Sequence, residues 1–177
     1  MSSAEIPQFL VVPPAEFDIP NSNIHARLFN DDDADNLAHL ADEAGVQRYV
    51  PWAKRIHDVS SASRVIDEFQ DVWERKLIAR YALEKDSQFV GYSGIWSDPT
   101  PGYFEFGFAM LPEFRGQGIG TSTVNELINI AKENLGAKGM VAYVDDTNDA
   151  SKSIVTKLSF QSTDEFDSGD RRYELQF

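Results

Sequence analysis

The sequence of 177 residues contains no cysteine. This absence excludes disulfide bonds, thiolate metal sites, iron–sulfur ligation and catalysis by a cysteine nucleophile. No stretch approaches the roughly 18 consecutive apolar residues of a membrane-spanning helix, and the N-terminal residues lack the basic and apolar regions of a signal peptide. A cytoplasmic location is therefore expected.

Basic residues are scarce relative to acidic ones. Sixteen Lys and Arg stand against 29 Asp and Glu, which gives a formal net charge of −13. Such a charge disfavours nucleic acid and anionic membrane surfaces as partners and is compatible with a cationic partner. Hydrophobic residues make up 42% of the chain, as in globular proteins. The length fits one domain, because domains commonly contain about 100 to 200 residues.

The order of the local patterns predicts a mixed α/β domain. Four prolines among the first 23 residues predict an extended N-terminal arm over residues 1–23, because proline fixes φ and has no N–H donor. Residues 24–177 are predicted to form the domain itself, in the order strand, two helices, three strands, helix, strand, helix and final strands. Apolar residues at helical spacing between Val124 and Leu135 mark the clearest helix.

A glycine-rich segment lies between a predicted strand and this helix. It reads Arg115-Gly116-Gln117-Gly118-Ile119-Gly120 and is followed by Thr121. Glycines remove the Cβ atoms that would keep a ligand away from the backbone, and they permit positive φ. Successive N–H groups of such a turn, together with those of the helix N-terminus, can surround phosphate oxygens. Arg115 adds a charged, forked donor suited to a diphosphate.

Other interpretations of this segment remain open on the glycines alone. A dinucleotide-binding turn has the spacing G-x-G-x-x-G after the first strand, whereas the spacing here is G-x-G-x-G and lies past the middle of the chain. A nucleotide P-loop ends in lysine followed by serine or threonine, and this segment contains no lysine. A tight connection between strand and helix that binds no ligand is the remaining alternative.

Arg115-x-x-Gly118-x-Gly120 resembles the Q/R-x-x-G-x-G/A acetyl-CoA signature of the GNAT superfamily of N-acetyltransferases. Two flanking stretches also resemble this superfamily, namely residues 104–112 before the segment and residues 148–160 after it. Residues 46–52 and the helix ending near Trp73 are similar to the RimJ/RimL group, which acetylates the N-termini of ribosomal proteins. The resemblance extends over nearly the whole chain after residue 23.

The resemblance implies a fold and a cofactor. In this superfamily a central, mostly antiparallel twisted sheet splays between its fourth and fifth strands, and helices cover both faces. Acetyl-CoA is expected in the gap between these two strands. Backbone groups of Ala109, Met110 and Leu111 are then expected to pair with the pantetheine arm, residues 115–121 to hold the diphosphate, and Asn148 to bond the pantetheine amides.

The resemblance also implies direct attack of a primary amine on the thioester in a ternary complex. We expect Glu105 to be the base, because burial on its strand face would raise its pKa. An exposed acid at this position is the alternative. Relatives place a general-acid tyrosine where this chain has Val155, and RimL-type relatives use a serine that Ser151 matches. The alternative for Ser151 is a hydroxyl that bonds its own helix backbone.

A protein or peptide N-terminal α-amine is the acceptor that the RimJ/RimL resemblance implies. A small cationic amine, such as a polyamine or an aminoglycoside-like antibiotic, is the alternative that the net charge of −13 favours. The missing tyrosine at Val155 leaves a third interpretation, an acyl-CoA sensor without turnover. No metal site is expected, since the three histidines are dispersed. Both a monomer and a homodimer stay open.

Overall fold

The computed structural model describes residues 12–75 and 78–177. These residues form eight strands and five α-helices, and none of the helices is long and apolar enough to cross a membrane. In chain order the elements are β1 (Glu16–Asp18), β2 (Ile24–Leu28), α1 (Ala34–Asp42), α2 (Ala44–Tyr49), α3 (Val59–Glu74), β3 (Ile78–Lys85), β4 (Gln88–Ser97), β5 (Tyr103–Met110), α4 (Ile119–Glu133), β6 (Gly139–Val144), α5 (Asp149–Lys157), β7 (Gln161–Asp167) and β8 (Asp170–Gln176). The predicted mixed α/β domain is confirmed, although the short helix α2 was not predicted.

All eight strands belong to one sheet with the order β1-β2-β3-β4-β5-β6-β8-β7. Only the β5–β6 pair is parallel among the described strands, and its pairing covers just residues 103–105 and 139–141. The antiparallel pairing of β4 with β5 continues to Met110. Beyond Glu105 the strands β5 and β6 therefore separate, and we call the gap between them the wedge. The expected splay is present, between the fifth and sixth strands because β1 precedes the others.

Helices cover both faces of the sheet, as expected. One core contains Leu127 of α4 and Tyr81 of β3, and the other contains Leu37 of α1, Ile66 of α3 and Ala82 of β3. Tyr81 and Ala82 are neighbours in sequence and are both fully buried, yet they belong to different cores. Side chains in a strand alternate between its two faces, which explains this division.

Part of the segment that was predicted to be an N-terminal arm is packed against the sheet. Glu16–Asp18 form the edge strand β1, antiparallel to β2. Ile19 is 2% exposed, and the hydroxyl of Tyr81 donates a hydrogen bond of 2.8 Å to the carbonyl of Pro14. Residues 1–11 of the predicted arm lie outside the described residues.

A buried ion pair joins the two sides of the wedge at its closed end. Asp98 follows β4 and Arg172 lies in β8, with 3.3 Å between their charged atoms and little exposure of either residue. Tyr143 of β6 accepts a hydrogen bond of 2.8 Å from the same guanidinium. Burial by itself raises the pKa of Asp98, but hydrogen bonds from Thr100 and the charge of Arg172 outweigh burial and hold the pKa below its ordinary value. This cluster therefore reinforces the short β5–β6 pairing.

Replacing Asp98 by Asn should destabilise the domain by about 2 kcal/mol. Removing one partner of a buried pair costs roughly 3–5 kcal/mol, and we expect less here because Glu174 also contacts the Arg172 guanidinium. Unfolding in urea measures the effect. Because the folded-state pKa of Asp98 is lowered, its contribution is present at neutral pH and should disappear as the pH falls below about 4.

Asp164→Asn, on the exposed part of β7, is the matched control. It should change the free energy of unfolding by less than about 0.5 kcal/mol. Equal effects of the two substitutions would show that the Asp98–Arg172 pair does not stabilise the wedge.

Candidate active site

The turn before α4 presents unpaired backbone donors. Gly116 and Gly118 have φ values of 72° and 80°, a left-handed conformation that favours glycine. Gly118 is the N-cap of α4, and its carbonyl accepts the helical bond from the Ser122 N–H at 3.0 Å. The N–H groups of residues 119–121 therefore have no acceptor inside the helix. They lie at the positive end of the helix dipole, which is an arrangement that binds phosphate.

Arg115 is anchored beside this turn. Its Nε donates a hydrogen bond of 3.0 Å to the Met110 carbonyl at the end of β5. A terminal nitrogen lies 4.0 Å from a Glu43 carboxylate oxygen, and the side chain is 47% exposed. The guanidinium is therefore held in place at one nitrogen while its other nitrogens remain accessible to an anion.

Two other residues of the segment have packing or bridging roles. A Cβ added to Gly120 would lie 3.1 Å from Ile154 Cδ1, so glycine allows α4 to approach α5 closely. The Gln117 side chain accepts a hydrogen bond from Lys85 Nζ at 3.0 Å and donates one to the Glu113 carbonyl at 2.9 Å. Gln117 thus ties the turn to the neighbouring β3 end.

A cavity of about 560 Å³ extends from the turn into the wedge. We call it the phosphate cavity. Two of the predicted cofactor-binding residues, Leu111 and Gln117, do not line it. The others do, namely Ala109, Met110, Arg115, Gly116, Gly118, Ile119, Gly120, Thr121 and Asn148.

The direction of the β5 backbone amides determines which of the predicted contacts with pantetheine can form. The Leu111 N–H donates to the Val90 carbonyl at 3.0 Å and so faces β4. Antiparallel pairing alternates, which directs the amide of Ala109 to β4 as well and the amides of Met110 and Phe108 to the wedge. The Met110 carbonyl is already bonded by Arg115. Leu111 therefore cannot offer its N–H to a ligand in the wedge, and Met110 can.

A second cavity of about 500 Å³, the aromatic cavity, lies next to the first. Trp52, Tyr92 and Trp96 contribute aromatic walls, and Glu105 and Asp170 contribute carboxylates. The residues that line both cavities are Tyr49, Val50, Phe108, Asn148 and Ser151. The two cavities therefore meet at the start of α5.

Glu105 occupies the last paired position before the wedge opens, opposite Val141. Its Oε2 accepts a hydrogen bond of 2.8 Å from Trp96 Nε1. Burial raises the pKa of Glu105 to about 6, although the Trp96 hydrogen bond acts in the opposite direction. Glu105 is thus partly buried and is not the exposed acid of the alternative interpretation. A carboxylate with this pKa can accept a proton near neutral pH.

Asn148 and Ser151 have different relations to the α5 backbone. Asn148 caps the helix, because its Oδ1 accepts the Ser151 N–H at 3.1 Å. Within the described part of the chain, neither the Asn148 amide nitrogen nor the Ser151 hydroxyl forms a hydrogen bond. The alternative in which the Ser151 hydroxyl bonds its own backbone is therefore not observed. Val155, 1% exposed, lines the aromatic cavity one turn further along α5.

Two features of the site were not predicted. Trp96 contacts Glu105 because β4 and β5 place them opposite each other, and this register cannot be read from either strand alone. The hydroxyl groups of Tyr49 and Thr147 lie 3.2 Å apart, and Arg48 donates to Thr147 at 3.2 Å. Helix α2 thus contacts the loop before α5 next to the junction of the cavities.

Within residues 12–75 and 78–177 no group of three or more acidic or histidine side chains is arranged to hold a metal ion.

Comparisons with known proteins agree with this architecture. The acetyltransferase (GNAT) domain family matches residues 23–161. The RimL ribosomal L7/L12 α-N-protein acetyltransferase in complex with coenzyme A has a TM-score of 0.78 at 15% identity, with 94% of this chain and 98% of that chain covered. Mycobacterium smegmatis RimJ in complex with CoA-disulfide gives 0.76 at 16% identity, with 91% and 85% covered.

A third similar structure is the microcin C7 self immunity acetyltransferase MccE in complex with acetyl-CoA and AMP. Its TM-score is 0.79 at 15% identity, with 96% of this chain and 100% of that chain covered. At these identities the structural likeness bears on the fold alone. No curated protein matches the chain significantly.

Gly118→Ala should weaken the binding of coenzyme A at least tenfold, because it strains the turn that presents the donors of residues 119–121. Isothermal titration calorimetry measures the affinity. Gly136→Ala is a matched control: Gly136 also has positive φ, 59°, and a Cβ there would likewise meet no atom within 4 Å. Gly136 follows the other end of α4 and lines neither cavity.

Both substitutions should lower the free energy of unfolding by about 1 kcal/mol, since alanine disfavours positive φ. Only Gly118→Ala should change the affinity. If the two variants bind coenzyme A equally well, the turn is a structural connection and not a phosphate site.

Proposed function

Because the chain belongs to the acetyltransferase (GNAT) domain family, we propose that it transfers the acetyl group of acetyl-CoA to the N-terminal α-amine of a protein or peptide. The observation that best supports this proposal is the meeting of two cavities. One begins at a phosphate-binding helix start, and the other contains a partly buried carboxylate with a raised pKa. A donor with a diphosphate and an acceptor with an amine can thus reach one junction from opposite sides.

The residues around the phosphate cavity suit coenzyme A. Backbone donors of residues 119–121 and the accessible nitrogens of Arg115 bind the diphosphate. The amides of Met110 and Phe108 face the wedge and pair with an extended ligand as an additional strand would. Acetyl-CoA supplies the activated acyl group, and a backbone N–H at this edge stabilises negative charge on the carbonyl oxygen.

Glu105 acts as the base that removes a proton from the acceptor. Its pKa of about 6 lies roughly 2 units below that of an α-ammonium group, near 8, and more than 4 units below that of an alkyl ammonium group, near 10.4. Proton transfer to Glu105 is therefore less uphill from an α-amine. This difference favours a peptide N-terminus over a lysine side chain or a polyamine.

Ser151 donates a proton to the departing thiolate, directly or through a water molecule. Its side chain lines both cavities, and its hydroxyl is not engaged by any described residue. Val155 has no hydroxyl group. Ser151 is the hydroxyl-bearing residue of α5 that lines both cavities. This arrangement supports catalysis over the interpretation as an acyl-CoA sensor.

A small cationic amine is the second candidate acceptor. Asp170 lines the aromatic cavity, and burial together with the charges of Asp145 and Asp167 raises its pKa. Carboxylates gathered in one cavity repel each other, and a cationic ligand relieves this repulsion. Aromatic walls beside them also suit a cation.

A peptide with a free N-terminus should be acetylated, whereas the same peptide with a blocked N-terminus should not. Release of coenzyme A thiol measures turnover. Glu105→Gln should lower kcat by about 10²–10⁴, the range for loss of a general base, and leave the affinity for coenzyme A unchanged. Ser151→Ala should lower kcat with the same unchanged affinity. In the wild type the rate should fall as the pH drops below about 6, because protonated Glu105 cannot accept a proton.

Glu133→Gln, at the exposed end of α4, is the matched control and should not change kcat. Turnover of spermidine without turnover of the peptide would replace the proposed acceptor by a small cationic amine. Binding of coenzyme A without turnover of either acceptor would identify a sensor.

A further inference from the structure

We propose that Trp96 is a positioning residue that fixes one oxygen of Glu105 and leaves the other oxygen to accept the proton of the acceptor amine. This proposal rests on the proposed function, in which Glu105 is the base. It assigns a role to an aromatic side chain that would otherwise count only as a wall of the aromatic cavity.

The hydrogen bond between the two side chains is the first observation. Trp96 and Glu105 are directly opposite each other in the antiparallel β4–β5 pair. The indole Nε1 donates to Oε2 at 2.8 Å, and within the described residues Oε1 accepts no hydrogen bond. Since indole is a donor only, it cannot take the proton that a base must receive. The proton therefore goes to the carboxylate, whose orientation the indole restricts.

The indole itself is held from two sides. The Arg80 guanidinium carbon lies 4.0 Å from the centroid of the Trp96 ring, which is a close cation–π contact. A Cβ added to Gly107 would lie 3.0 Å from Trp96 Cη2, so the ring rests on the bare backbone of β5. The Arg80 guanidinium also donates a hydrogen bond to the Tyr92 hydroxyl, which helps to hold it beside the ring.

The register of three strands brings these groups together. Arg80 is opposite Gly94, and Gly94 is opposite Gly107, so one row of the sheet has two consecutive positions without a side chain. The Arg80 side chain extends over Gly94, and the Trp96 ring lies over Gly107. The strand register therefore fixes the position of the indole. The indole in turn orients Glu105 at the position where β5 separates from β6.

An oriented carboxylate improves proton transfer because the accepting atom is already at the reaction site. Burial is the main effect that opposes ionisation of Glu105, and the charges of Asp98 and Asp167 add to it. The hydrogen bond from Trp96 and the charge of Arg80 favour the ionised form. Loss of the indole N–H should therefore have two effects together. The carboxylate becomes less ordered, and it becomes harder to ionise at neutral pH.

Trp96→Phe separates this role from simple packing. Phenylalanine keeps an aromatic ring over Gly107 and next to Arg80 but has no N–H. We expect the pKa of Glu105 to rise by about 1 unit, a shift consistent with losing a hydrogen bond to a charged group. The carboxyl carbon signal of ¹³C-labelled glutamate, assigned with Glu105→Gln, reports this pKa by NMR titration without any need for turnover.

The rate profile is the second readout of the same variant. Its acidic limb should move to higher pH by the same amount as the NMR titration, and kcat at the plateau should fall about tenfold, with unchanged affinity for coenzyme A. Trp73→Phe, in α3 and outside both cavities, is the matched control and should leave the titration and the rate profile as in the wild type.

Gly107→Ala tests the same arrangement if Trp96→Phe does not fold, because it displaces the indole while keeping the N–H. It should raise the pKa of Glu105 in the same direction by a smaller amount. The proposal is overturned if these variants titrate like the wild type, or if the pKa moves and the rate profile does not. Failure of the proposed function is a separate result, since it appears as absent peptide acetylation by the wild type itself.

Discussion

The parallel pairing of β5 with β6 ends after three residue pairs, and both cavities depend on where it ends. Past this point the inner edge of β5 has amide groups without a neighbouring strand, and backbone groups of this kind require a partner. A ligand with an extended amide chain can provide one. Glu105 is the last paired residue, so its carboxylate lies where the gap begins. The end of the pairing thus determines the position of both the ligand edge and the proposed base.

Local charge, and not the net charge of −13, explains how this chain can hold a polyanionic ligand. The donors at the start of α4 and Arg115 lie at one end of the wedge, whereas Glu105 and Asp170 line the cavity at the other end. Surface charges further apart than a Debye length, about 8 Å in physiological salt, are largely screened. The two cavities can therefore have opposite charge preferences, as acetyl-CoA and the proposed amine acceptor require.

The sequence predicted the features that depend on neighbouring residues, and it could not predict those that depend on strand register. The turn at Gly118 and the face of β5 that carries Glu105 follow from local patterns and are present. The partner of Asp98 is 74 residues away in sequence, and the direction of the Leu111 N–H depends on the pairing of β4 with β5. A shift of one residue in the pairing register moves every side chain of a strand to the other face of the sheet. Such contacts can therefore be identified only in the assembled sheet.

The proposed proton donor, Ser151, lies on the same face of α5 as Val155. Residues four apart lie on the same side of a helix, and both Ser151 and Val155 line the aromatic cavity. Val155 is buried in the core with Phe160 and has no hydroxyl group. Ser151 lies one turn closer to the N-terminus of α5, where the phosphate cavity is also within its reach. Because serine is much shorter than tyrosine, proton transfer from this position requires the thiolate, or a bridging water molecule, to lie close to the start of α5.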